Sequence, residues 1–223
     1  MTEAIPAWKQ EKYRMIEGWR TENQRCEKGA VVFAGSSLME MFPVEAFAKE
    51  EGPGFPTVYN RGVGGWRTED MLPLLDVLVT DLQPRRLFIN IGTNDLSDPS
   101  VTIDALMARY DRILTRIEDC VPGVDIVLMA YYPVNLDAAA EGMKATLRIR
   151  TNERLRAANE AVKALAARHH QRYADFNAPL TDAQGNLRAE YTIEGMHIRE
   201  EGYRAIWPAV RRAILDACFF SGR

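Results

Sequence analysis

The 223-residue chain has only three cysteines and three histidines. Cys26, Cys120 and Cys218 are widely spaced and odd in number, which excludes a disulfide framework and a C-x-x-C pair. They are expected to be buried thiols. The scattered Cys and His offer no zinc set, and no metal or cofactor is expected. No stretch approaches the length of apolar sequence that a membrane-spanning helix needs, so no membrane span is expected. The opening MTEAIPAWKQEKYRMIEGWR is charged throughout and lacks the apolar core of a signal peptide, so a cytoplasmic location is the expectation. Positive charge is not in excess: 28 Lys and Arg against 31 Asp and Glu leave a net charge of -3, and nothing draws the chain to nucleic acid. Repeats, low-complexity tracts and Pro/Gly/Ser linkers are also missing, so residues 1–223 read as one domain.

What is present alternates between two periodicities. Short apolar runs occur at VVFA (31–34), TVYN (57–60), RLFINI (86–91), VDIVLMA (124–130) and RYADF (172–176). Segments of helical period lie between them, the pattern of βαβ units and a parallel sheet. Ile103, Leu106, Tyr110, Ile113, Leu114 and Ile117 share one helix face, as do Tyr203, Ile206, Trp207, Val210, Ile214 and Cys218. Both stripes read as core, with Pro208 beginning or bending the last helix. Residues 151–170 form a third helix and 8–26 a fourth, the latter within an N-terminal segment, 1–28, packed on the domain. The stretches 131–150 and 177–196 read as irregular and long enough to be functional.

In an open parallel sheet, ligands bind beyond the carboxyl ends of the strands. Three runs end in polar, flexible sequence: Gly35, Ser36 and Ser37; then NRGVGGWRT from Asn60; then GTNDLSD from Gly92. Each has an ordinary explanation. Ser37 and Glu40 make an S-x-x-E capping box, glycines turn chains, and Thr93, Asn94 and Asp95 are turn residues. Together they also supply a hydroxyl, backbone N–H groups and a side-chain amide, the parts of an oxyanion site. A nucleophilic hydroxyl needs a base. His169 and His170 end a helix and read as surface residues. His197, in YTIEGMHIREEGY, has Glu194 three residues upstream, close enough to orient an imidazole.

FAGSSL, NRGVGG, GTND and EGMH resemble, in order, the four sequence blocks of the SGNH hydrolases, also called GDSL esterases and lipases. The branch resembled most is that of the catalytic subunits of intracellular platelet-activating-factor acetylhydrolase, where NxGxGG and a GSS first block are familiar. The resemblance implies Ser37 as nucleophile, His197 as base and Glu194 as the triad acid, with Ser37, Gly65 and Asn94 as oxyanion donors. It departs from the usual pattern twice: Ser36 replaces the aspartate of GDS, and Glu194 replaces that of D-x-x-H. Leu38, Trp66, Tyr131 and Tyr132 are expected to line the pocket, with packing as their competing role.

The expectation is therefore a single three-layer α/β/α domain, a flavodoxin-like five-stranded parallel sheet with helices on both faces. Its function is expected to be that of a serine esterase on a small or medium acyl ester, such as an O-acetyl group on a carbohydrate or lipid. A non-catalytic small-ligand-binding module and an acyltransferase remain open alternatives, and a homodimer is allowed. The nucleophile elbow G-x-S-x-G is not met because Met39 occupies its last position, and G-x-x-x-x-G-K-[ST] and G-x-G-x-x-G are not present.

Overall fold

The five apolar runs form β1 (Val31–Gly35), β2 (Val58–Gly62), β3 (Arg86–Asn90), β4 (Asp125–Met129) and β5 (Arg172–Ala174) in this computed structural model, which describes residues 6–216. All pair in parallel in the order β2-β1-β3-β4-β5, the flavodoxin-type winding. The helices are α1 (Ala7–Glu22), α2 (Ser37–Glu40), α3 (Val44–Glu50), α4 (Thr68–Met71), α5 (Leu75–Leu78), α6 (Ile103–Cys120), α7 (Glu141–Ile149), α8 (Asn152–Arg168) and α9 (Glu200–Leu215).

Alternation along the strands divides the interior in two. Val32, Ala34, Leu87, Ile89, Ile126 and Leu128 face one core, with Ile16 of α1, Ile113 of α6 and Val162 of α8. Val31, Phe33, Phe88, Val127 and Met129 face the other, with Phe47 of α3 and Tyr203 and Val210 of α9. Each of the larger aliphatic and phenylalanine side chains contributes about 1.5–3 kcal/mol through removal from water, and both sheet faces need a helical layer to obtain it. The result is the three-layer α/β/α arrangement.

Several sequence expectations are revised. α7 lies inside the stretch read as irregular; it buries only Leu147, too little for a visible stripe. α9 continues through Pro208. An interior proline costs about 3 kcal/mol, and Tyr203, Ile206, Val210 and Ile214, buried on both sides of it, offset that loss. Cys26 and Cys120 are half-buried rather than buried, and Cys218 lies outside the described residues. Among the described residues no helix is long and apolar enough to cross a membrane.

His169 is not the plain surface residue expected. At the end of α8 its Nδ1 lies 2.9 Å from Glu118 Oε2 and its Nε2 3.0 Å from Asp111 Oδ1, both carboxylates belonging to α6. His170 turns the chain with a φ of 53°. Burial disfavours charge on His169, but the hydrogen bonds to Glu118 and Asp111 outweigh it and raise its pKa above the ordinary value. Its stabilising contribution is therefore complete below the unfolded pKa of about 6.5 and is lost as pH rises through the folded value. Urea unfolding of wild type and His169→Gln should show a wider stability gap at pH 5.5 than at pH 9. A gap independent of pH would mean that the imidazolium does not bridge α6 and α8.

Candidate active site

The strand register aligns Gly35 with Gly62 on one side and with Asn90 on the other. The turns after β1, β2 and β3 therefore leave the sheet at the same level, along one rim. Gly35 must lack a side chain, since a Cβ would lie 2.0 Å from the carbonyl oxygen of Asn90, and its φ is 154°. At Gly62 a Cβ would lie 2.1 Å from the backbone nitrogen of Glu40. The backbone of α2 consequently rests directly on the end of β2.

Short as it is, α2 has the carbonyls of Leu38 and Met39, and that of Phe42 just beyond it, satisfied by distant side chains. Asn60 Nδ2 donates to the carbonyls of Met39 (2.7 Å) and Phe42 (2.9 Å), while its Oδ1 accepts from Gly62 N–H. Tyr203 donates its hydroxyl to the carbonyl of Leu38 at 2.7 Å. The capping box read at Ser37 and Glu40 does not form: Ser36 is the N-cap and makes no side-chain cap bond, and Glu40 pairs with Lys12 of α1. Ser37 is the first residue of the helix, and its hydroxyl is left for another partner.

That partner is His197, whose Nε2 lies 2.9 Å from Ser37 Oγ across 160 positions of sequence. The other ring nitrogen, Nδ1, is 2.6 Å from Glu194 Oε1, which also accepts the backbone N–H of His197 at 3.2 Å. An ionised carboxylate only accepts, so Nδ1 carries the proton and Nε2 is free to receive one from the serine. The loop is braced on both sides. Ile193 N–H donates to the His197 carbonyl, Gly195 N–H to Thr192 Oγ1, and Asn135 N–H to the Gly195 carbonyl. Gly195, with a φ of 99°, is required there because a Cβ would lie 2.6 Å from the Asn135 oxygen.

The neighbouring turns are joined by Asn94. Its Nδ2 donates to the carbonyl of Trp66 at 2.9 Å, and its Oδ1 accepts from Arg150 at 2.8 Å. Asp95 secures the same turn by accepting from Thr68 N–H, Thr68 Oγ1 and Arg109. Gly65 turns the chain with a φ of 78°, and the ring of Trp8 lies against it, 2.9 Å from where a Cβ would stand. Among the described residues no cluster of His, Cys, Asp and Glu is arranged to hold a metal ion.

The expected pocket residues need correction. Leu38, Trp66, Tyr131 and Tyr132 are all 3 % exposed or less and serve as packing, Tyr131 also donating to the Ile91 carbonyl. The exposed apolar side chains on neighbouring segments are different ones. Trp8 is 51 % exposed, Met41 lies one helical turn after Ser37, and Ile193 precedes Glu194. Nothing in the sequence flagged Trp8, because α1 is brought over the rim only by tertiary pairings such as Lys9 with Asp70 and Lys12 with Glu40.

The model of the GDSL-like Lipase/Acylhydrolase family matches residues 33–205. No curated protein matches the chain significantly. Among solved structures, one from Streptococcus pneumonia, provisionally named a platelet activating factor, is 27% identical with a TM-score of 0.80 and coverage of 92% of this chain and 93% of that one. A GDSL-like lipase from Bacteroides thetaiotaomicron VPI-5482 is 20% identical, with a TM-score of 0.73 and coverage of 90% and 97%. A catalytic variant of an acetylxylan esterase from Geobacillus stearothermophilus is 17% identical, with a TM-score of 0.64 and coverage of 84% and 95%. The last two likenesses bear on the fold.

The contact between α2 and Gly62 has a direct test. Gly62→Ala forces a methyl group against backbone and should cost about 3 kcal/mol, roughly 6–12 °C in Tm. Gly142→Ala, in α7 with nothing within 4 Å of the added carbon, should leave Tm unchanged or slightly raised. Equal melting temperatures for the two variants would show that α2 does not rest on Gly62.

Proposed function

Because this chain belongs to the GDSL-like lipase/acylhydrolase family and is a hydrolase acting on esters, we propose that it is a serine esterase working through an acyl-enzyme on Ser37. The observation that carries this reading is the unbroken hydrogen-bond chain from Ser37 Oγ through His197 to Glu194 Oε1.

In the proposed reaction, Ser37 Oγ attacks the ester carbonyl carbon as its proton passes to His197 Nε2. The carbonyl π electrons move onto oxygen, giving a tetrahedral oxyanion. Ser37 N–H, at a helix start where no intrahelical acceptor exists, Gly65 N–H and Asn94 Nδ2 are the donors assigned to it. Collapse breaks the bond to the alcohol oxygen, which takes the proton from Nε2 and departs. Water then repeats the sequence, giving up a proton to Nε2 and releasing the acid and Ser37. Throughout, Glu194 holds the ring in one tautomer and stabilises the transient imidazolium.

A small or medium acyl group is proposed, with an O-acetyl ester of a carbohydrate or lipid as the leading class. Trp8 against Gly65, together with exposed Met41 and Ile193, supplies flat and apolar surface for the rest of such a substrate. The structural likeness to a protein named as an acetylxylan esterase supports a short acyl group.

Kinetics on p-nitrophenyl esters of increasing acyl length test this reading. Ser37→Ala should lower kcat by roughly 10⁴-fold or more, and Ser36→Ala by far less. Glu194→Gln should lower kcat by roughly 10⁴-fold, as the comparable change does in a serine protease, because an amide can favour the wrong tautomer. Equal activity in Ser37→Ala and Ser36→Ala would overturn the nucleophile. Wild-type activity in Glu194→Gln would reduce the triad to a Ser37–His197 dyad.

A further inference from the structure

Arg150 sits at the end of α7 and is 3 % exposed. Its Nη2 donates to Asn94 Oδ1 at 2.8 Å and to Ser97 Oγ at 2.5 Å, its Nε donates to Ser97 Oγ at 2.9 Å, and its Nη1 faces Met196 Sδ at 2.6 Å. All these partners are neutral. Two other buried arginines reach carboxylates: Arg61 pairs with Glu22 and Arg86 with Asp125. Arg150 makes no ion pair among the described residues. Asp95, the nearest influence of opposite sign, is already occupied by Thr68 and Arg109. Burial accordingly pushes the Arg150 guanidinium down to about 10, with Asp95 opposing the shift only in part.

A buried cation without a counter-ion is costly unless something repays it. A guanidinium has donors and no acceptor, so the atom of Asn94 that faces it must be the amide oxygen. That fixes the amide orientation and turns Nδ2 the other way. One Nδ2 hydrogen goes to the Trp66 carbonyl, leaving the second available on the side of the rim. The cation also draws electron density toward Oδ1, which makes the Nδ2 hydrogens stronger donors. Through Met196, the residue before His197, the same guanidinium touches the loop that carries the base.

We infer that Arg150 is a positioning residue for the oxyanion site: it acts through Asn94, orienting and polarising the amide whose Nδ2 donates as the tetrahedral intermediate forms. This rests on the esterase reading above. An interaction of this kind is stronger in the transition state than in the ground state, so its loss appears in kcat rather than KM.

The test is a double-mutant cycle on p-nitrophenyl acetate with Arg150→Met, Asn94→Ala and the double variant, alongside Arg150→Lys. Arg150→Met should lower kcat by roughly 10- to 100-fold and change KM by less than about 3-fold. Arg150→Lys should recover part of the loss, since it restores the charge without the fork. In the Asn94→Ala background Arg150→Met should have almost no further effect, because the group through which it acts is gone. A merely structural role would instead multiply the two losses, and that outcome, or wild-type kcat in Arg150→Met, overturns the inference. If Arg150→Met does not fold, the same cycle with Arg150→Lys decides between coupled and independent losses. Wild-type activity in Ser37→Ala would count against the esterase reading itself, a result independent of the Arg150 cycle.

Discussion

A backbone contact between α2 and the end of β2 sets the position of the site. Because Gly62 carries no side chain, the first turn after β1 settles against β2 with its carbonyl groups in reach of Asn60. Because Gly35 carries none either, the same turn passes beside the Asn90 carbonyl at the end of β3. Three neighbouring strands are thereby locked at one level, and the loops they release stand next to each other. Ser37 is presented by backbone packing, with little dependence on its own side chain. A four-residue helix has too few internal hydrogen bonds to hold a hydroxyl in place alone.

Around this frame the buried charges fall into two kinds. Arg86 is tied to Asp125 and to the last turn of α9, and Arg61 to Glu22 and Asn23 of the N-terminal segment. These pairs join distant parts of the chain. At the rim, Asp95 gathers Thr68 and Arg109 while Arg150 gathers Asn94 and Ser97, so an anion and a cation each stabilise a turn without pairing to one another. Polar groups held this way lose little reorganisation energy when charge develops nearby, the property that electrostatic catalysis requires.

Much of this was legible in the sequence, for identifiable reasons. Strands buried on both faces appear as apolar runs, and VVFA, RLFINI and VDIVLMA gave their positions to within a residue or two. Ser37 and Asn94 lie close to strand ends in sequence and Glu194 and His197 share one short block, so each could be named from local sequence as a candidate. What escaped depends on partners far away in the chain. His169 resembles a surface residue until α6 brings Asp111 and Glu118 to it. Trp66 follows Gly65 in sequence and Tyr131 and Tyr132 follow the end of β4, yet the turns that carry them bury all three in the core. Arg150, in LRIRTN, is one of many arginines until the fold closes it against Asn94, and no local pattern distinguishes a buried guanidinium from an exposed one.

The central claim, that Ser37 is a nucleophile activated by His197, is tested most directly by covalent trapping. Folded protein treated with a fluorophosphonate and analysed by intact mass and peptide mapping should gain one adduct, on Ser37, and His197→Ala should acquire it far more slowly. A folded protein that resists the reagent, or that is modified at another residue, would contradict the claim.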